Sequence, residues 1–223
     1  MATVVFEELL EVPSIGDLAE FRAWALSDEF PQRGRIDYVA GRIEVDMSPE
    51  DLFTHGTLKL QVASKIEARV AELDLGHTFV GETRVSSVVG NFSAEPDVVV
   101  ISHDALDEGR VTLTPKASGE EGRYIEIEGA VDLIVEIVSD SSVRKDTKRL
   151  PAAYYRGGVR ENWLIDARSE QLIFQVLRRG TNSFEASLPD QNGFQRSEVL
   201  DCLVRLDRER HRRGHWVYCL RLQ

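Results

Sequence analysis

Two acidic residues stand where the surrounding sequence calls for apolar side chains. Asp97 opens the run Val98-Val99-Val100-Ile101, and Glu136 interrupts Leu133-Ile134-Val135-Ile137-Val138. Such runs are buried strands, and an ionised carboxylate inside one is costly unless a cation or several hydrogen-bond donors satisfy it. At the two-residue period of a strand, Glu136 shares its face with Ile134 and Val138, so it projects among apolar neighbours. Hard divalent ions such as Mg²⁺ or Mn²⁺ accept a few carboxylate oxygens and complete their shell with water, which the two acids and a carbonyl could supply. The alternative is that Glu136 pairs with a structural arginine and Asp97 merely begins a strand. Spacing alone leaves both readings open.

Other constellations carry less. His211, His215 and Cys219 recur every four residues with Cys202 upstream, a zinc-like spacing. However, Gly214 and the alternation Trp216-Val217-Tyr218-Cys219-Leu220 argue for a strand there instead. No serine sits in a nucleophile-elbow pattern and no glycine-rich loop has phosphate-cradling spacing, so serine-hydrolase and nucleotide-binding chemistry find no support.

The elements that must position the acids are legible as changes of period. Ser14 and Asp17 precede Leu18, Phe21, Trp24 and Ala25 at helical spacing, which predicts an amphipathic helix over 14–28 closed by Pro31 and Gly34. Ile36–Val39 and Ile43–Val45 alternate around Ala40-Gly41 and predict a hairpin. Leu58, Val62, Ile66, Val70 and Leu73 form a helical stripe ended by Gly76. Strands follow at Thr78–Val89, Pro96–Ile101 and Val131–Val138, with loop-like material over 103–130 that could hold a hairpin at Val111–Leu113 and Tyr124–Ile127. A helical stretch near 142–157 and strands at Trp163–Asp166 and Leu172–Leu177 complete the series. The order implies an α/β fold, one mixed central β-sheet flanked by helices, in a single domain over 1–223 with an N-terminal helix and hairpin and a C-terminal strand extension.

Composition bounds the setting. The 223 residues are 42% hydrophobic and 29% charged, as in an ordinary globular chain. The start, Met1–Glu8, has no basic leader and no apolar run is long enough for a bilayer, so the cytoplasm is the expected compartment. Two cysteines, Cys202 and Cys219, make no disulfide framework. A net charge of −11 argues against a protein that coats nucleic acid, since nonspecific affinity comes from neutralising phosphates. Basic residues are nevertheless clustered: Arg144, Lys145, Lys148, Arg149, Arg156 and Arg160 in one segment, and Arg205, Arg208, Arg210, Arg212 and Arg213 in another. For the second, a solvated face balanced by Asp207 and Glu209 is the simpler reading.

Taken together, Pro96-Asp97-Val98-Val99-Val100, Asp132 through Ser139, Lys145-Asp146-Thr147, Tyr154 and Gly158 through Asp166 resemble the Uma family of the PD-(D/E)XK, restriction-endonuclease-like superfamily. Asp37 through Ile43 and Ser48-Pro49 through His55 are similar to its opening pattern, so the resemblance spans roughly residues 14 to 200. It implies a restriction-endonuclease-like core and Mg²⁺-dependent hydrolysis of phosphodiester bonds, in DNA before RNA. Asp97 and Glu136 match the metal-binding acids. The position two beyond the glutamate, where the superfamily has its lysine, is Val138, and the family's helix lysine would fall at Leu150. Lys145 and Lys148 are therefore the catalytic candidates, with Lys145 favoured because Pro151 should disturb the backbone beyond Lys148. His55 resembles a family histidine but suits a capping role equally, and Asn162 replaces the family's usual tyrosine. A homodimer would present two sites to a duplex. A nuclease fold that has lost catalysis and serves as a binding module is the rival function.

Overall fold

The computed structural model describes residues 12–31 and 33–223; the leader reading of Met1–Glu8 concerns residues outside these. The chain forms a mixed α/β architecture, but its strands divide between two six-stranded sheets and a third of three strands, not one central sheet. Helix α1 (Leu18–Ala25) starts later than predicted, because Asp17 and not Ser14 is its N-cap, accepting from the Glu20 N–H at 2.9 Å. It lays Leu18, Phe21 and Trp24 against Ile36 and Tyr38.

The first sheet has the order β2-β1-β5-β4-β8-β7. It contains the predicted hairpin of β1 (Arg35–Val39) and β2 (Arg42–Asp46), then β4 (Arg84–Ser87), β5 (Phe92–Ala94), β7 (Val111–Pro115) and β8 (Tyr124–Gly129). The second has the order β12-β11-β10-β9-β6-β3, from β3 (Gly76–Val80), β6 (Val98–Ser102), β9 (Leu133–Ile137), β10 (Glu161–Asp166), β11 (Ile173–Arg179) and β12 (Phe184–Ala186). The stretch Thr78–Val89, one strand on paper, is thus cut in two: β3 ends at Val80, Gly81 turns at φ +54°, and β4 joins the other sheet. Gly76 matters at the other end, since a Cβ there would lie 2.1 Å from the Ile101 carbonyl oxygen and force β3 off β6.

The central strands of the second sheet are buried on both faces, which is why they read as continuous apolar runs. Val98, Val100, Leu133, Val135 and Ile137 face α2 (Thr57–Glu72) and the small sheet of β13 (Gln195–Ser197), β14 (Cys202–Arg210) and β15 (Trp216–Leu222). Val99, Ile101 and Ile134 face the first sheet and α4 (Leu150–Arg156). Asn162 in β10 donates to the Ile134 carbonyl at 3.2 Å, tying two central strands by a side chain. The loop-like segment holds the suggested hairpin, β7 on β8, and also a short helix that the sequence did not announce, α3 (His103–Asp107). Winding through 145–156 is continuous, contrary to the expected break at Pro151. A π turn over Lys145–Arg149, in which the Leu150 N–H reaches back to the Lys145 carbonyl, leads into α4 with Pro151 in its first turn. The wide turn accommodates a residue that has no N–H to give and a ring that crowds the preceding carbonyl.

Candidate active site

Glu136 occupies a position on β9 that faces the first sheet, where Ile134 on the same face is core. The antiparallel register sets Val98 opposite Val135, so one step further Asp97 stands opposite Glu136 at the mouth of β6. Asp97 is 0% exposed and Glu136 1%. Asp97 is amply compensated. Its Oδ2 accepts from the Ile137 N–H at 2.8 Å and its Oδ1 from Arg35 at 3.1 Å. Two further basic groups approach: His55 Nε2 is 3.5 Å and Lys59 Nζ 3.6 Å away. Burial opposes its ionisation, but His55, Arg35 and Lys59 outweigh it and hold the carboxyl far below the usual range. His55 sits in the π turn Leu52–Gly56. It is raised above the ordinary histidine value because the attraction of Asp97 and Glu50 overcomes burial.

Glu136 is provisioned differently. Its one hydrogen bond among the described residues is from the Tyr154 hydroxyl of α4, at 2.5 Å. Burial, then repulsion from Asp146 and Asp97, pushes its carboxyl well above the usual value. The arginine near Glu136 is Arg35, which opposes that rise but makes its ion pair with Asp97. Asp146, in the π turn, accepts from the Ser142 hydroxyl through Oδ2, whereas its buried Oδ1 has no hydrogen-bond partner among the described residues. Burial, reinforced by Asp97 and only partly offset by Lys145 and Ser142, pushes the Asp146 carboxyl up to about 6. Lys145 is 4% exposed, with Nζ 2.6 Å from Asp37 Oδ2 and 3.9 Å from Asp146 Oδ1. Burial would favour the neutral amine, but Asp37, Asp146 and Glu136 outweigh it and the ammonium is stabilised. Asp37 in turn takes the Glu95 N–H on Oδ1 at 3.0 Å, which fixes it between the lysine and the chain leading to Asp97.

The structure therefore brings Asp97, Glu136 and Lys145 together and leaves Lys148 exposed, one turn away on the outer side of the same winding. Since the backbone does not break at Pro151, Lys148 points out because of its place on the turn. Arg35, Asp37, Asp146 and Glu95 were not foreseen as members. Asp37 carried a visible signal, an acid within the apolar strand Ile36-Asp37-Tyr38-Val39, the same anomaly that exposed Glu136. Arg35 carried none, because a charged residue at a strand end is ordinary, and Asp146 was visible only within the family-like Lys145-Asp146-Thr147.

Among the described residues no three His, Cys, Asp or Glu side chains form a ready-made cage for a metal. A hard divalent ion needs less, one or two carboxylates with water making up the rest. The donor chemistry fits such an ion: Asp37, Asp97, Glu136 and Asp146 are four buried acids set against Lys145 and Arg35, and one buried carboxylate oxygen is orphaned. Two clefts on the protein, one beside Trp216 and Arg208 and one beside Arg69 and Cys219, are lined by none of these residues.

The model of the Uma2 family, described as "Putative restriction endonuclease", matches residues 18–207. The chain is also similar in fold to a crystal structure described as "a putative nuclease belonging to DUF820 from Anabaena variabilis ATCC 29413". That similarity has a TM-score of 0.51 and 21% identity over 74% of this chain and 83% of that one. No curated protein matches the chain. No helix among the described residues is long and apolar enough to cross a membrane.

Proposed function

This chain belongs to the Uma2 family, and from that premise we propose that it is a metal-dependent endonuclease hydrolysing phosphodiester bonds, in DNA first, at the buried acids of β6 and β9. The observation that carries the reading is the surplus of carboxylate: among the described residues Glu136 has one donor and Asp146 Oδ1 none. Buried charge left in that state is expensive and marks a place where a cation belongs. Asp97 and Glu136 are the proposed ligands for Mg²⁺ or Mn²⁺, with Asp146 adding charge. Such an ion, when bound, polarises the scissile phosphate and makes a water molecule more acidic.

The protein's own groups supply the rest. Asp37 holds the Lys145 ammonium, which stabilises negative charge developing on the phosphate in the transition state. Arg35, whose side chain is 24% exposed, offers the approaching phosphodiester a cation at the outer side of Asp97. Tyr154 fixes the rotamer of Glu136 from one side, and His55 together with the Ile137 N–H fixes Asp97. A two-fold homodimer would set two such sites on opposite strands of a duplex.

One observation favours the rival, a nuclease fold that binds without cutting: Arg35 already neutralises Asp97. The deciding experiment is a cleavage assay on duplex DNA, single-stranded DNA and RNA in Mg²⁺, Mn²⁺ or EDTA, with Glu136→Gln alongside. Cleavage by the wild type that EDTA and Glu136→Gln both abolish is expected. Binding of nucleic acid with no cleavage under either metal would establish the rival.

A further inference from the structure

The C-terminal arginines are not part of the acidic site, and the fold gives them a specific setting. On β14 and β15 the residues that alternate toward the core are Cys202, Val204 and Leu206 on one strand and Tyr218 and Leu220 on the other. As the hairpin runs past the core, the same alternation carries Arg208, Arg210 and Trp216. The two guanidinium carbons lie 4.0 and 3.9 Å from the Trp216 ring centroid. The strands are joined by Arg212-Arg213-Gly214, with the His211 N–H donating to the His215 carbonyl and Gly214, at φ +90°, providing the left-handed residue that closes a three-residue loop. Behind this tip the rings of His211 and His215 stack 4.6 Å apart at 27°, and Phe53 stacks on His215 at 4.7 Å and 22°. Phe53 is 41% exposed, and it belongs to the same π turn as His55, whose ring reaches Asp97.

We propose that the Phe53–His215–His211 ring stack and the arginines at the hairpin tip dock a single-stranded stretch of nucleic acid, its bases continuing the stack and its phosphates meeting Arg212 and Arg213. The class of polymer rests on the nuclease reading above; the strandedness rests on the surface itself. Flat rings with an exposed member accept a base face, which a duplex keeps covered, and arginines beside them follow the backbone. Charge points the same way. Arg208 to His215 hold four arginines against Glu209 alone in a chain of net charge −11. Arg205 and Arg210 are paired with Asp207 and Glu170, whereas the exposed Arg212 and Arg213 make no ion pair among the described residues. The π turn links the two places physically, so a strand seated on Phe53 lies next to the turn that carries His55 to Asp97.

The test is equilibrium binding of labelled oligonucleotides, as single-stranded DNA, single-stranded RNA and duplex DNA, to the Glu136→Gln protein in EDTA, where nothing is cut. Phe53→Ala and His215→Ala are each expected to weaken single-strand binding by about tenfold or more on either strand chemistry, with duplex binding unchanged, while His215→Phe retains it. Arg212→Ala and Arg213→Ala should each reduce the slope of log affinity against log salt by about 0.7. Unchanged single-strand affinity in both ring variants overturns the proposal, as does equal loss on duplex. Because binding is read without metal, the two readings fail separately. A wild type that cleaves while ring variants bind normally keeps the nuclease and removes the dock. Ring variants that lose binding in a protein that never cleaves do the reverse.

Discussion

Glu136 and Glu161 sit on neighbouring parallel strands, β9 and β10, each 1% exposed and each with its carboxyl pushed up by burial. They are nonetheless opposite kinds of residue. Glu161 accepts from the Trp163 indole at 2.6 Å, the Ser197 hydroxyl at 2.6 Å and the Glu198 N–H at 2.8 Å, and so staples β10 to the segment that leads into the small sheet. Glu136 has Tyr154 alone among the described residues and is crowded by Asp146 and Asp97. Depth and a raised pKa are common to both, so neither marks a site by itself. What separates them is the supply of donors: one carboxyl is met from several sides by its own protein, and the other by a single hydroxyl among the described residues.

The comparison breaks most visibly in activity. Lys145→Ala should lower turnover by ~100-fold or more, the scale of losing one preorganised donor to the transition state, whereas Lys148→Ala should leave the maximal rate nearly unchanged. Steady-state cleavage at saturating substrate measures both, and equal rates for the two variants would remove Lys145 from the mechanism. Stability gives the next contrast. Glu161→Gln puts an amide N–H₂ where donors already converge, at a cost of about 1–3 kcal/mol. Glu136→Gln relieves repulsion, so its melting temperature without metal should equal or exceed that of the wild type, while any gain on adding Mg²⁺ disappears. Thermal melts of the two variants, with and without Mg²⁺, decide whether the staple and the site are rightly distinguished.

The smallest effect is in pH. Asp146 rises from 3.8 to about 6 on folding, so between those values the folded state holds more protons than the unfolded one. Stability must then fall as pH rises through this window, by on the order of 3 kcal/mol if no other group intervened; Glu136 acts in the same direction. Metal-free protein should melt higher at pH 5 than at pH 7, and Asp146→Asn should flatten that difference. A melting temperature that climbs steadily from pH 5 to 7 in both proteins would mean that Asp146 is not crowded as described.

Much of this was readable from sequence because it rests on period. The acids on β6 and β9 announced themselves against apolar runs, and the helix over Thr57–Glu72 and the hairpin of β1 and β2 followed from spacing. What was not readable depends on who meets whom. Nothing local in Thr78–Val89 says that its halves enter different sheets, because both halves have the strand period and only docking assigns partners. Strands β12 and β13, at three residues each, are too short to show a period. Asp146 was visible only as part of a family-like triplet, and its crowding showed once its neighbours were known, with one oxygen lacking a partner among the described residues.

The Lys145–Asp37 contact has a consequence for how the protein comes to life. Asp97 and Glu136 belong to one sheet, Asp37 to the other, and the lysine arrives on a turn packed between them. No single sheet carries the whole proposed set, so under the proposed mechanism a half-opened chain would hold the acids without their ammonium. Under that mechanism, hydrolysis would require the two layers to be docked. Loss of activity in urea should therefore coincide with separation of the two layers, and activity surviving in a form that has lost that contact would contradict it.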